Sequence, residues 1–153
     1  MKSLVLYHGN CYDGFGAAWV AWQALQEQAD YTAVHYGQEP PSLEGYEQVF
    51  LLDFSYPRQQ LLEMAAQVNG RLKVIDHHKT AQADLADLPF AHFDMEHSGA
   101  ILALHHFFPS DKYFLPLEIL QYIEDRDLWR FALPYSREVA AWMRYWAMDF
   151  RIW

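Results

Sequence analysis

Three runs in this chain are almost continuously apolar, and each stops at a side chain able to bind a metal ion. Leu4–Tyr7 is followed by His8, Val49–Leu52 by Asp53, and Val74–Ile75 by Asp76, His77 and His78. Strands that are apolar on both sides belong to parallel sheets covered by helices on both faces. In open sheets of that kind, ligands bind in the crevice beyond the carboxyl ends of the strands. Three strand ends of this type bring residues far apart in sequence to one crevice.

The remainder of the chain fits that architecture. Patterning predicts strands over 3–7, 31–36, 49–53 and 71–75, with a fifth over 90–93. It predicts helices over 14–28, 57–68, 98–108, 116–129 and 136–148. The segment 38–47, with Pro40, Pro41 and Gly45, reads as a loop. Alternation of strands and helices implies an α/β fold, a mainly parallel sheet of about five strands with helices on both faces. A chain of 153 residues fits a single domain.

Composition narrows the function. The chain is 52% hydrophobic and 17% aromatic, far too apolar for a disordered segment. Its net charge of -9 argues against a broad grip on long nucleic acid, which needs clustered Lys and Arg. A nucleotide or short oligonucleotide remains open, because bound cations reverse the local field. Cys11 is the single cysteine, so no intrachain disulfide forms. No signal peptide is evident, and no apolar run approaches the ~20 residues that span a bilayer. The expected location is the cytoplasm, with no membrane partner.

The first turn reads His8-Gly9-Asn10-Cys11-Tyr12-Asp13-Gly14-Phe15-Gly16. Its glycines allow close backbone approach at a helix start, where free N–H groups favour anions. Asp13 is either a helix cap or a metal ligand, and the company of His8 favours the ligand. Asp53, centrally placed, can bridge two cations. In Asp76-His77-His78 one imidazole can bind metal and the other phosphate, while Asp76 orients a histidine. Ser98 suits a helix cap beside Gly99, and His97 is a weaker substrate contact. Asp125 and Asp127 compete as a further ligand. His35, His92, His105 and His106 read as structural or surface residues.

In this order, His8 to Asp13-Gly14, Asp53-Phe54-Ser55, Asp76-His77-His78, His97-Ser98-Gly99-Ala100 and Asp125-Arg126-Asp127-Leu128-Trp129 resemble the motifs of the DHH phosphoesterase superfamily. The likeness covers about residues 3 to 130 and is nearest to the branch of oligoribonuclease and cyclic-nucleotide phosphodiesterase-like phosphohydrolases. It implies a divalent-metal phosphoesterase with two ions, Mn2+ or else Mg2+ or Co2+, and attack on phosphorus by hydroxide held on a metal. It implies that His8 and Asp53 hold one ion, and that Asp13, Asp53, His77 and Asp127 hold the other. Asp127 is preferred to Asp125 because Asp-Leu-Trp matches the family pattern better. His78 and Asp76 would be the catalytic residues, and His78, His97, Ser98 and Gly99 would meet a short oligonucleotide or (cyclic) nucleotide.

Two departures stand out. Many members carry Asp-x-Asp where this chain has Cys11-Tyr12-Asp13, and a thiol is a softer ligand that suits Zn2+. Members also carry a C-terminal substrate-binding domain, here expected to be absent or truncated. The tail is instead rich in Trp142, Met143, Tyr145, Trp146, Met148, Phe150, Ile152 and Trp153, which suggests folding back or a homodimer contact. Two other readings use the same residues: a non-catalytic nucleotide- or partner-binding module, and a pyrophosphatase.

Overall fold

A computed structural model describes residues 2–109 and 117–153 of the chain. Five strands form one all-parallel sheet: β1 (Ser3–His8), β2 (Ala29–Val34), β3 (Gln48–Leu52), β4 (Leu72–Asp76) and β5 (Ala91–Phe93), in the order β2-β1-β3-β4-β5. The described helices are α1 (Tyr12–Leu25), α2 (Arg58–Gln67), α3 (Lys79–Leu85), α4 (Gly99–Phe107), α5 (Leu117–Asp127) and α6 (Ser136–Met143). The α/β class, the parallel sheet and the helices on both faces are as expected.

Strand periodicity sorts the core into two layers. Val5, Phe50, Leu52 and Ile75 point to one face, where Phe15 and Trp19 of α1, Ala100 and Leu104 of α4, and Leu120 of α5 cover them. Their neighbours Leu4, Leu6, Val49, Leu51 and Val74 point the other way, against Leu61 and Met64 of α2 and Leu85 of α3. Because successive side chains alternate, a strand buried on both faces must be apolar throughout. That is why the three runs look continuous in the sequence.

Several boundaries differ from expectation. Helix α1 ends at Leu25 because Gln26 takes φ 48, and a short 3-10 turn, Gln26–Gln28, follows. Strand β2 covers Ala29–Val34, since its register with β1 pairs Ser3 with Ala29 and His8 with Val34. His35 and Tyr36 therefore lie beyond the strand end. Helix α3 was not expected; its seven residues lack a clear amphipathic repeat. Pro116, the expected start of the α5 segment, lies outside the described residues.

The expected helix over 136–148 stops at Met143, and the chain beyond it turns back. Phe150 stacks on Phe15 at 5.1 Å and Trp22 at 5.9 Å between ring centroids, and meets Tyr31 edge-on at 5.3 Å. Trp153 meets Phe15 at 4.9 Å and stacks on Tyr12 at 6.2 Å. The tail thus covers the outer side of α1, while Trp142, Tyr145 and Trp146 remain exposed. Phe150→Ala removes the centre of this cluster. It is expected to destabilise the fold by about 2 kcal/mol, less than a fully buried Phe→Ala change, as read by chemical denaturation.

Candidate metal centre

Strand β2 lies on one side of β1, and β3 on the other. The direction of winding therefore reverses between β1 and β3, and a crevice opens at their carboxyl ends. His8 is the last residue of β1, Asp53 follows β3, and Asp76 ends β4. Asp53 takes φ 54, in the left-handed region where Asp is one of the few tolerated residues. Its N–H donates to the Ile75 carbonyl at 2.9 Å, so the turn is tied to β4. Backbone strain of this kind, held by its surroundings, concentrates at functional sites.

The Asp53 carboxylate is 1% exposed, and its two oxygens serve different partners. Oδ2 lies 3.5 Å from His8 Nδ1, and Oδ1 lies 3.1 Å from His77 Nε2. On the His77 side, Asp13 Oδ2 and Asp127 Oδ2 each stand 3.4 Å from the same Nε2. Three carboxylates thus converge on one imidazole nitrogen. On the other side, His8, Cys11 and Asp53 bring donor atoms within 4.8 Å of one another. His8 Nδ1 is buried with no hydrogen-bond partner. These groups, together with Asp53, Asp76, His77 and His78, have the geometry and the donor types to hold metal ions. Buried carboxylates in this number need positive charge beside them.

Protonation follows from that crowding. Burial pushes Asp13 well above the carboxylate range, and the charges of Asp53 and Asp127 add to the effect. Asp127 is raised by burial and by Asp53. Burial alone would raise Asp53, but the imidazoles of His77 and His8 outweigh it and hold the group low. For His77, burial is overcome by the hydrogen bond to Asp53 and by the surrounding carboxylates, and its pKa rises to about 9. Burial and the Asp53 charge push the Cys11 thiol up to about 12. Folding therefore favours the protonated forms of His77 and Asp13. The stability from the His77 proton is fully present below its ordinary value of 6.5 and is lost as pH rises through about 9. Asp13 acts in the same direction. Chelator-treated protein should show a Tm that falls between these pH values. A bound divalent ion should flatten the fall by taking the proton's place, and a flat profile without metal would contradict this account.

Two glycines make the close approach possible. A Cβ at Gly14 would sit 2.3 Å from the His8 carbonyl oxygen, and one at Gly99 would sit 2.6 Å from Asp53 Cβ. The start of α4 also holds Asp13 in place: Gly99 N–H donates to Oδ2 at 2.6 Å and Ala100 N–H to Oδ1 at 2.8 Å. Ser98 caps α4 by accepting from Ile101 N–H and is fully buried, as expected of a cap, while Gly99 N–H is engaged by Asp13. Asp76, also fully buried, accepts N–H bonds from His77 and His78 at Oδ1 and receives His78 Nδ1 there at 2.6 Å. It orients His78, which leaves Nε2 as the free nitrogen of that half-exposed ring. Asp125 accepts from Ala132 and Leu133 N–H groups at 2.8 and 3.2 Å, which shapes the loop after α5. Of the two competing aspartates, Asp127 is the one in the cluster.

Two neighbours escaped the sequence reading. Glu124 Oε2 receives Ser98 N–H at 2.9 Å and faces His97 Nδ1 at 3.2 Å, while its other oxygen meets Arg130 at 3.1 Å. It anchors the entrance to α4, and His97 is held there. Tyr36 packs edge-on against His8 at 5.3 Å and lies 6.3 Å from His78, forming an aromatic wall beside the cluster. Only its place just past β2 could have hinted at this. His35 lies over Gly9, where a Cβ would meet its ring at 2.5 Å, His106 packs on Phe50, and His105 meets His97 edge-on. His92 is exposed on β5.

Fold and site together define an open parallel α/β protein with a buried Asp and His cluster, able to hold metal ions, at its topological switch point. No family model matches the chain. An uncharacterized protein of Acanthamoeba polyphaga mimivirus is 34% identical over 167 residues, an alignment covering 98% of this chain and 39% of that protein. Among solved structures, an uncharacterized protein from Helicobacter pylori shares the fold with a TM-score of 0.70 and 14% identity over 95% of this chain and 49% of that one. The chain thus spans less than half the length of either of these proteins. Among the described residues, no helix is long and apolar enough to cross a membrane.

Proposed function

We propose that this chain is a divalent-metal phosphoesterase, hydrolysing the phosphodiester of a short oligonucleotide or a cyclic or linear nucleotide with two bound ions, Mn2+ by preference and Mg2+ or Co2+ as substitutes. The observation that carries this reading is Asp53, whose two oxygens face two separate sets of donors. His8 with Asp53 would hold one ion, and Asp13, His77 and Asp127 with Asp53 the other. The pair would supply Lewis acidity to the phosphoryl group and to water. The order of the motifs, which resembles that of the DHH superfamily, supports the same assignment.

The chain's own residues do the rest. Asp76 accepts from His78 Nδ1–H, so the proton His78 can donate is the second one, carried at Nε2 by the imidazolium. The hydrogen bond to Asp76 raises the His78 pKa against the effect of burial, so the imidazolium persists to higher pH than in a free histidine. An imidazolium there donates to a phosphate oxygen as negative charge develops. Gly99 and Ala100 N–H groups keep Asp13 from turning away. The left-handed turn at Asp53 and the glycine contacts at residues 14 and 99 keep the donors in register, which positions the reacting groups in advance.

Two substitutions test the assignment on a labelled dinucleotide in Mn2+. Asp53→Asn should lower kcat by on the order of 10^3-fold or more and reduce bound metal, because it removes the shared ligand. His78→Ala should leave metal content unchanged and lower kcat/KM by about 10^2-fold, the usual scale for a lost proton donor. Wild-type protein that binds metal yet hydrolyses no phosphoester would reject the enzyme reading.

A further inference from the structure

We infer that the two halves of this centre select different cations: His8, Cys11 and Asp53 form a thiolate site for a soft ion of the Zn2+ class, beside an oxygen-rich Mn2+ site at Asp13, His77 and Asp127. The inference rests on the two-ion reading above and replaces Mn2+ by a softer ion at the first of the two sites.

Three features carry it. First, the sulfur is a member of a set: Cys11 shares a donor cluster with a histidine and a carboxylate, all within 4.8 Å of one another. One imidazole, one thiolate and one carboxylate leave a fourth tetrahedral position open, the arrangement of Zn2+ sites that act on substrates. Second, His8 Nδ1 is buried without a hydrogen-bond partner and stands 3.5 Å from Asp53 Oδ2, too far for a good hydrogen bond. An ion between the two groups would satisfy this nitrogen and the Asp53 oxygen together. Third, Cys11 occupies the N-cap of α1, where Ser, Thr, Asp or Asn normally binds the free N–H groups, yet its side chain makes no capping bond. The backbone N–H groups of Asp13 and Gly14 face the sulfur from this helix end, which favours an anionic donor there.

The other half lacks sulfur. Asp13, Asp127 and the far oxygen of Asp53 surround His77 Nε2 at 3.1–3.4 Å. Carboxylates with a single imidazole suit Mn2+ and similar hard ions. Asp53 is common to both halves, so it links unlike ions. When the soft ion binds, the Cys11 sulfur forms a bond to it and the thiol proton passes to solvent.

Cobalt reports sulfur ligation directly. Chelator-treated protein loaded with two equivalents of Co2+ should show a thiolate-to-cobalt charge-transfer band in the near ultraviolet. One equivalent of Zn2+ should then abolish the band while one Co2+ stays bound, and Mn2+ should leave the band intact. Cys11→Ser, checked as folded by circular dichroism, should lack the band and bind Zn2+ at least ~10-fold more weakly, a loss typical of disturbing even an outer partner of a metal ligand. As a second measurement, Zn2+ should protect Cys11 of the wild-type protein from alkylation and Mn2+ should not. Cobalt bound without the band, no cobalt bound at all, or equal protection by both ions would overturn the inference. These readouts do not involve turnover. A band without phosphodiester hydrolysis would reject the proposed activity alone, and hydrolysis without a band would reject the sulfur site alone.

Discussion

The burial of several carboxylates around one imidazole governs the rest of this structure. Asp13 and Asp53 are each 1% exposed, and with Asp127 they approach His77 Nε2 from three directions. Like charges at such distances cannot all remain ionised in a protein interior unless protons or cations balance them. The sequence could have avoided the problem with apolar residues. It instead surrounds these aspartates with N–H donors at the start of α4 and with two glycines that let the backbone come close. The cost in stability is local, and the scaffold around it is built to carry it.

That scaffold is the doubly covered sheet. Strands β1, β3 and β4 are buried on both faces, so their ends cannot shift without disturbing two core layers. Helices α1 and α4 pack on one face, with Gly16 close to Ala100, where an added Cβ would stand 3.2 Å from the alanine methyl. Small residues at that crossing bring the two helix starts together. Asp13 on α1 can then accept the first N–H groups of α4. Packing of the helices and placement of the ligands are therefore one problem with one solution.

The tail shows a different economy. Phe150 and Trp153 return to cover α1, while Trp142 and Trp146 line an apolar groove of about 270 Å³ with Trp19, Ile119 and Ile152. Aromatic density that looked excessive in the sequence is thus used in part within the chain. The helix expected to run to 148 is shorter because the chain must reverse after Met143 for Phe150 to reach Phe15 and Trp22.

The sequence by itself determined the class of fold and the kind of site. Continuous apolar runs are what strands buried on two faces require, and His or Asp at their ends marks where the sheet meets a crevice. His8, Asp53 and His77 were legible on that logic, because parallel strands place their carboxyl ends along one edge whatever their order, and Asp13 was legible from the helix start that follows His8. Patterning alone left Asp125 and Asp127 open and the family resemblance preferred Asp127; the tertiary structure puts Asp127 beside His77 and turns Asp125 to the loop after α5. They lie two residues apart near the end of one helix, and which of them faces the cluster depends on how α5 docks. Glu124 and Tyr36 were invisible for the same reason: their partners are distant in sequence, and nothing local distinguishes them from solvated residues. That Asp53 addresses two donor sets, with Cys11 in one, depends on a left-handed turn and on strand order. Both arise when β1 and β3 pair and the winding of the chain reverses between them.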